Sequence, residues 1–180
     1  TNLPAVNALF ALMCFHASRF EARKDSNGEI VLYGDQDETL WNRELIDKGI
    51  YFLHLASTGG EASKYHIEAN IAFWHTVKED SPGKWENILQ LYNYLLQVEY
   101  TPVAALNRTY ALAKANGNAQ GIHEAEKRNL TTKHFYFTLL GELYKDIDPG
   151  KSLLHFQKAH ELAKTNTDRQ TILKKMQALR

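Results

Sequence analysis

Residues 137–163 read Phe137-Thr-Leu-Leu-Gly141-Glu-Leu-Tyr144, then Lys-Asp-Ile-Asp148-Pro149-Gly150, then Lys151-Ser152-Leu-Leu-His155-Phe156-Gln-Lys-Ala159-His-Glu-Leu-Ala163. Apolar residues recur every three or four positions on either side of an Asp-Pro turn, which predicts two helices joined by a short loop. Small residues sit where the helices must meet: Gly141, Ser152 and Ala159 permit close approach, and Tyr144 and Phe156 fill the gap. A pair built this way buries only one face of each helix, so it implies neighbours of the same kind.

Working outward, the same period predicts about nine helices in antiparallel pairs with short loops. Val6, Leu9/Phe10, Met13, Ala17 and Phe20 mark one face of a first helix starting near Pro4. Asp37 is the expected N-cap of a helix to about Ala56, with Trp41, Leu45, Gly49 and Phe52 on one stripe. Further helices are expected over 62–78, 85–99, 101–115, 119–128, 135–146, 149–163 and, after a Thr167-Asp168 cap, to the end. No Gly/Ser-rich linker divides the chain, so residues 1–180 read as a single helical-repeat domain. One interruption stands out. Residues 22–34 lose the helical period and read as an inserted β-hairpin, with an Asn27-Gly28 turn and a second strand from Ile30 to Tyr33. Residues 137–163 resemble a tetratricopeptide repeat, and stacked repeats of that kind bind partner segments in a groove.

Composition narrows the chemistry. Of 180 residues, 44% are apolar and 11% aromatic, enough for a substantial core, and Lys+Arg and Asp+Glu are both 21. A neutral chain argues against nucleic-acid binding as its main task, since phosphate contacts need a basic excess. Cys14 is the only cysteine and lies in an apolar run, a small core residue rather than a nucleophile. No apolar run approaches the roughly 20 residues of a bilayer span, which fits a cytoplasmic protein with no membrane partner. The eight histidines are scattered; His155 and His160, five apart, lie about 140° apart around a helix and share no metal. Asp35, Asp37 and Glu38 suggest a cation loop, but Leu40 stands where an EF-hand needs glycine. No metal site, cofactor or catalytic group is expected, and the chain reads as a non-enzyme. Asn107 and Arg108 differ: in the small, apolar run Pro102-Val-Ala-Ala-Leu-Asn-Arg-Thr-Tyr they must be hydrogen-bonded if buried, as an interhelical tie to an acid near the hairpin or a partner contact.

Five segments, in order, resemble the tetratricopeptide-like C-terminal extension of a group of bacterial extracytoplasmic-function (ECF) sigma factors: Leu3-Pro-Ala-Val…Leu9-Phe-Ala-Leu-Met; Arg23-Lys-Asp-Ser-Asn-Gly-Glu-Ile-Val-Leu; Asp35-Gln36-Asp37-Glu38-Thr-Leu-Trp41; Trp85…Ile88…Leu91-Tyr-Asn-Tyr-Leu-Leu; and Pro102-Val-Ala-Ala-Leu-Asn107-Arg108. The resemblance implies a regulatory region of a longer chain that modulates transcription initiation by docking on sigma domains, on polymerase or on a signalling partner. Its expected partners are the sigma domains that precede it and the RNA polymerase core, and promoter DNA is reached only through those other domains. Arg23, Asp35, Gln36, Asp37, Trp41, Asn107 and Arg108 are the candidate interaction or motif residues. Glu38 stands where the family's run usually carries arginine, which removes a positive charge from any contact there. A free-standing peptide-binding scaffold, unrelated to transcription, is the competing expectation.

Overall fold

The computed structural model describes residues 3–25, 31, 33–58, 62–128 and 133–179. Among the described residues there are nine α-helices and no strand, so the all-α reading stands. Contacts gather into two compact units, Thr1–Tyr100 and Thr101–Arg180.

The first unit holds α1 (Pro4–Ala17), α2 (Arg43–Ala56), α3 (Lys64–Trp74) and α4 (Pro82–Val98). Pro4 and Pro82 occupy first helical turns, where the missing N–H costs nothing. Asn42 Oδ1 accepts from Leu45 N–H at 3.0 Å and starts α2, while the Ser63 N–H donates to His66 Nδ1 at 3.1 Å at the start of α3. α1 packs on both α2 and α3, and α3 on α4. Phe15 is fully buried and lies flat over Gly49 of α2, where an added methyl would come within 2.5 Å of its ring.

The face that α1 buries is not the one its apolar spacing predicts. Ala8, Ala11 and Phe15 point inward, whereas Val6, Leu9, Phe10, Met13 and, just past its end, Phe20 are exposed. This helix is apolar all round, so bulk does not choose the inner face. Small alanines do, because they let the axes of two neighbours come close.

Between α1 and α2 the described residues of 22–34 form no strand, so the expected β-hairpin is not supported. The described part of 21–41 is three 3-10 turns, Glu21–Arg23, Tyr33–Asp35 and Glu38–Leu40, pinned by the Val31 N–H to Arg23 C=O hydrogen bond at 2.9 Å. Tyr33 does not continue a strand: it turns inward against Trp41 and His75. Burying that ring outweighs local strand preference, which is weak against tertiary packing. Asn27-Gly28 and Ile30 lie outside the described residues. Nor does Asp37 cap α2; it caps the third 3-10 turn, accepting from the Thr39 N–H at 2.9 Å.

The second unit holds α5 (Pro102–Asn116), α6 (Asn118–Arg128), α7 (His134–Tyr144), α8 (Pro149–Leu162) and α9 (Asn166–Gln177). Thr101 Oγ1 caps α5, Asp148 caps α8, and Thr165, two residues before the expected position, caps α9. α5 and α6 are separated by Gly117 alone, at φ 98°, a left-handed conformation that favours glycine. α7 and α8 form the predicted pair. Phe156 is buried against Gly141, where a methyl would sit 2.6 Å from its ring. Ser152 Oγ donates to the Gly141 carbonyl at 2.7 Å. Leu139, Leu140 and Leu143 close the core with Leu106 and Ile122, and Ile172 extends it towards α9.

Candidate functional site

The candidate residues of 22–41 divide between surface and interior. Trp41 is 3% exposed and Gln36 5%; both turn into the first unit. Asp35 and Asp37 are exposed, and hydrogen bonds from Thr39 hold the Asp37 carboxyl below its ordinary value. Arg23 is half-buried, its Nη2 3.2 Å from His16 Nδ1 and its guanidinium 5.8 Å from the Phe20 ring. This stretch therefore both anchors and presents: Trp41 and Gln36 hold it to the unit, and Asp35, Glu38 and Leu40 face solvent.

Around Trp41 the unit assembles a buried basic–aromatic cluster. Tyr33 is its hub, with ring centroids 6.5 Å from Trp41 and 5.1 Å from His75. Lys84, 2% exposed, donates to the Tyr33 hydroxyl at 2.7 Å and to the Val77 carbonyl at 2.6 Å. The Tyr33 hydroxyl in turn donates to the same carbonyl at 3.2 Å. The Arg19 guanidinium, in a residue 6% exposed, lies 5.3 Å from the Tyr33 ring centre and 5.9 Å from that of Trp41. Lys78 Nζ stands 5.9 Å from the Trp41 ring and donates to the Gln36 carbonyl. Asp80, which accepts from the Trp85 indole N–H, is exposed at the rim.

The electrostatics follow from this crowding. Burial, with Arg23 adding to it, pushes Arg19 down to about 10. Burial first, then the charges of Arg19 and Lys84, push His75 down to about 3, so it is neutral at physiological pH. His16 is lowered by burial and by Arg23 and Arg19.

Sequence reading missed Arg19 and Lys84, yet both lie on legible stripes. Arg19 follows Phe15 by four on the Ala8–Ala11–Phe15 side, and Lys84 precedes the buried Ile88 by four on α4. Position shows the burial that residue type hides.

Asn107 and Arg108 lie in the second unit and do not form one site. Asn107 is exposed. Arg108 Nη1 pairs with Glu124 Oε1 at 3.2 Å, each side chain about a quarter exposed, so its acid comes from α6 rather than from near the hairpin region. Cys14 is half-buried, and burial raises its thiol above the ordinary value, the opposite of an activated nucleophile. Among the described residues no group of three potential metal ligands occurs, and no helix is long and apolar enough to cross a membrane.

Residues 1–57, which hold α1, the 3-10 turns and α2, match the model of a family of unknown function, DUF6596. An uncharacterized protein of Rhizobium meliloti (strain 1021) is 33% identical over 147 residues, covering 80% of this chain and 35% of that protein. The chain thus spans about a third of the length of this curated relative. No solved structure matches.

Proposed function

We propose that this chain is a protein-interaction region of an ECF sigma factor, acting in the cytoplasm without catalysis of its own, and modulating transcription initiation by docking on the sigma domains of its parent chain. The ordered sequence resemblance names the partner. The observation that carries docking is the outer face of α1. Val6, Leu9, Phe10 and Met13 lie exposed on a helix with no charged side chain other than His16, and Leu3 and Phe20 extend the stripe at either end. Exposed apolar stripes of this kind mark interaction surfaces, and in the parent the sigma domains precede α1.

The test is promoter-specific transcription and polymerase pull-down by the full-length parent. Deleting residues 1–180 lowers transcription, and Phe10→Asp with Met13→Asp reproduces most of that loss while the far-UV spectrum of the region is unchanged. Unaltered transcription after deletion sinks the reading.

A second reading rests on a different observation, the α7–α8 pair closed by Gly141, Ser152 and Phe156. It makes the second unit a tetratricopeptide-like peptide scaffold independent of transcription. A parent gene without sigma domains favours it over the first.

A further inference from the structure

Charge in a protein interior is expensive unless a counter-charge or hydrogen bonds meet it. Lys84 meets that condition through Tyr33 and the Val77 carbonyl. Arg19 does not. Its Nε is buried without a hydrogen-bond partner, and among the described residues no carboxylate pairs with its guanidinium. Its charged neighbour Arg23 is of the same sign. Two more buried polar atoms beside it are unpartnered: Trp41 Nε1 and His75 Nδ1. Arg19 Nε and Trp41 Nε1 are obligate donors. Cations flank the two rings, Arg19 and Lys78 within 6 Å of Trp41 and Arg19 and Lys84 within 6 Å of Tyr33. On the side of α1, bases also lead from the surface inward: exposed His16, half-buried Arg23, buried Arg19.

We propose that the cluster formed by Arg19, Trp41, His75 and Lys78 is a binding site for a small oxyanion, a carboxylate or a phosphate. Such a ligand supplies the acceptors that the Arg19 and Trp41 N–H groups require and the negative charge that Arg19 lacks, with Lys78 at hand as a second cation. A planar carboxylate or a phosphate oxygen pair matches the guanidinium fork, and the neutral His75 offers a further nitrogen. Chloride brings the charge without that geometry. This site is independent of the docking role proposed above and rests on the first unit alone. In the chain it makes anion occupancy a determinant of how firmly 33–41 is held against α1 and α4.

The test uses the whole chain at matched ionic strength, titrated separately with inorganic phosphate, acetate and sodium chloride. Phosphate or acetate produces a saturable rise in Tm, roughly 5–10 °C at about one hundred times Kd. NMR follows the His16 titration, which moves to higher pH as the anion arrives. A response to one oxyanion and not the other identifies the class. Arg19→Leu abolishes both signals. Should that variant fail to fold, Lys78→Gln keeps the question open to measurement, weakening the affinity about tenfold. Equal responses to chloride and both oxyanions overturn the proposal. So does a folded Arg19→Leu or Lys78→Gln protein that retains the full response.

Discussion

Phe15 over Gly49 in the first unit and Phe156 over Gly141 in the second are the same packing device, a ring laid on a helix that has no Cβ at the crossing. Their surroundings differ. Around Gly141 the buried polar contact is neutral, the Ser152 hydroxyl on a helix carbonyl, and the nearby Tyr144 hydroxyl donates to Glu126. Four residues after Phe15, by contrast, a buried arginine faces a phenol and an indole, and a buried lysine lies over the same phenol. Among the described residues the second unit buries two polar side chains, Thr109 and Ser152, both uncharged. Its counterpart buries charge that hydrophobic residues of similar volume would replace at no loss of stability. Stability therefore accounts for the second arrangement and leaves the first asking for a use.

The largest expected effect removes the ring itself. Phe15→Ala and Phe156→Ala each cost about 3–5 kcal/mol in urea unfolding. Trp41, Trp74 and Trp85 all belong to the first unit, so tryptophan fluorescence reads Phe15→Ala directly, and far-UV circular dichroism reads Phe156→Ala. Equal small losses below 1 kcal/mol would mean the two rings do not fill the crossings as described.

Next come the glycines. Gly49→Ala and Gly141→Ala place a methyl within 2.6 Å of a fully buried ring, and overpacking of this kind costs about 1–3 kcal/mol. Elsewhere in a helix the same change stabilises, so the sign alone decides whether close approach sets the choice of residue.

The third test follows the first unit by pH. His75 has an ordinary value of 6.5 and is held at about 3 in the folded chain, so below 6.5 the unfolded chain takes up a proton that the folded one refuses. Stability is complete above about pH 6.5 and falls as pH drops towards 3, by up to about 1 kcal/mol per pH unit. His75→Gln flattens that slope in fluorescence-monitored unfolding. An unchanged slope removes His75 as its source.

The smallest effect concerns single hydroxyl groups. Ser152→Ala loses about 1 kcal/mol, and Tyr33→Phe loses about as much or somewhat more, because it deprives a buried ammonium of an acceptor. Thermal denaturation of the two variants beside wild type measures the difference.

How far the residues foretold this follows from their spacing. Gly141 and Phe156 lie fifteen residues apart across an Asp-Pro turn, so the helix pair was legible as one unit, with Ser152 readable as a small residue but not as the donor to the Gly141 carbonyl. Phe15 and Gly49 are joined through 21–41, where an Asn-Gly dipeptide argues for a hairpin while Tyr33 gains more by burial than by pairing. In α1, apolar residues on every side left periodicity with no contrast to read, and the alanines decided the inner face. Trp41 and Gln36 were recognisable as special through the motif they share. Arg19 and Lys84 were not, since basic side chains are surface residues by habit, and only their register with Phe15 and Ile88 gives them away.

The burial of Lys84 has a practical corollary. Acylating reagents modify lysine amines that meet solvent unprotonated and unbonded. The Lys84 amine, enclosed and donating to Tyr33 and Val77, becomes reactive only when its part of the fold opens. Timed labelling followed by peptide mass mapping would thus read Lys84 as a clock whose ticks count openings of that region, set against the fast acylation of exposed Lys151 and Lys158.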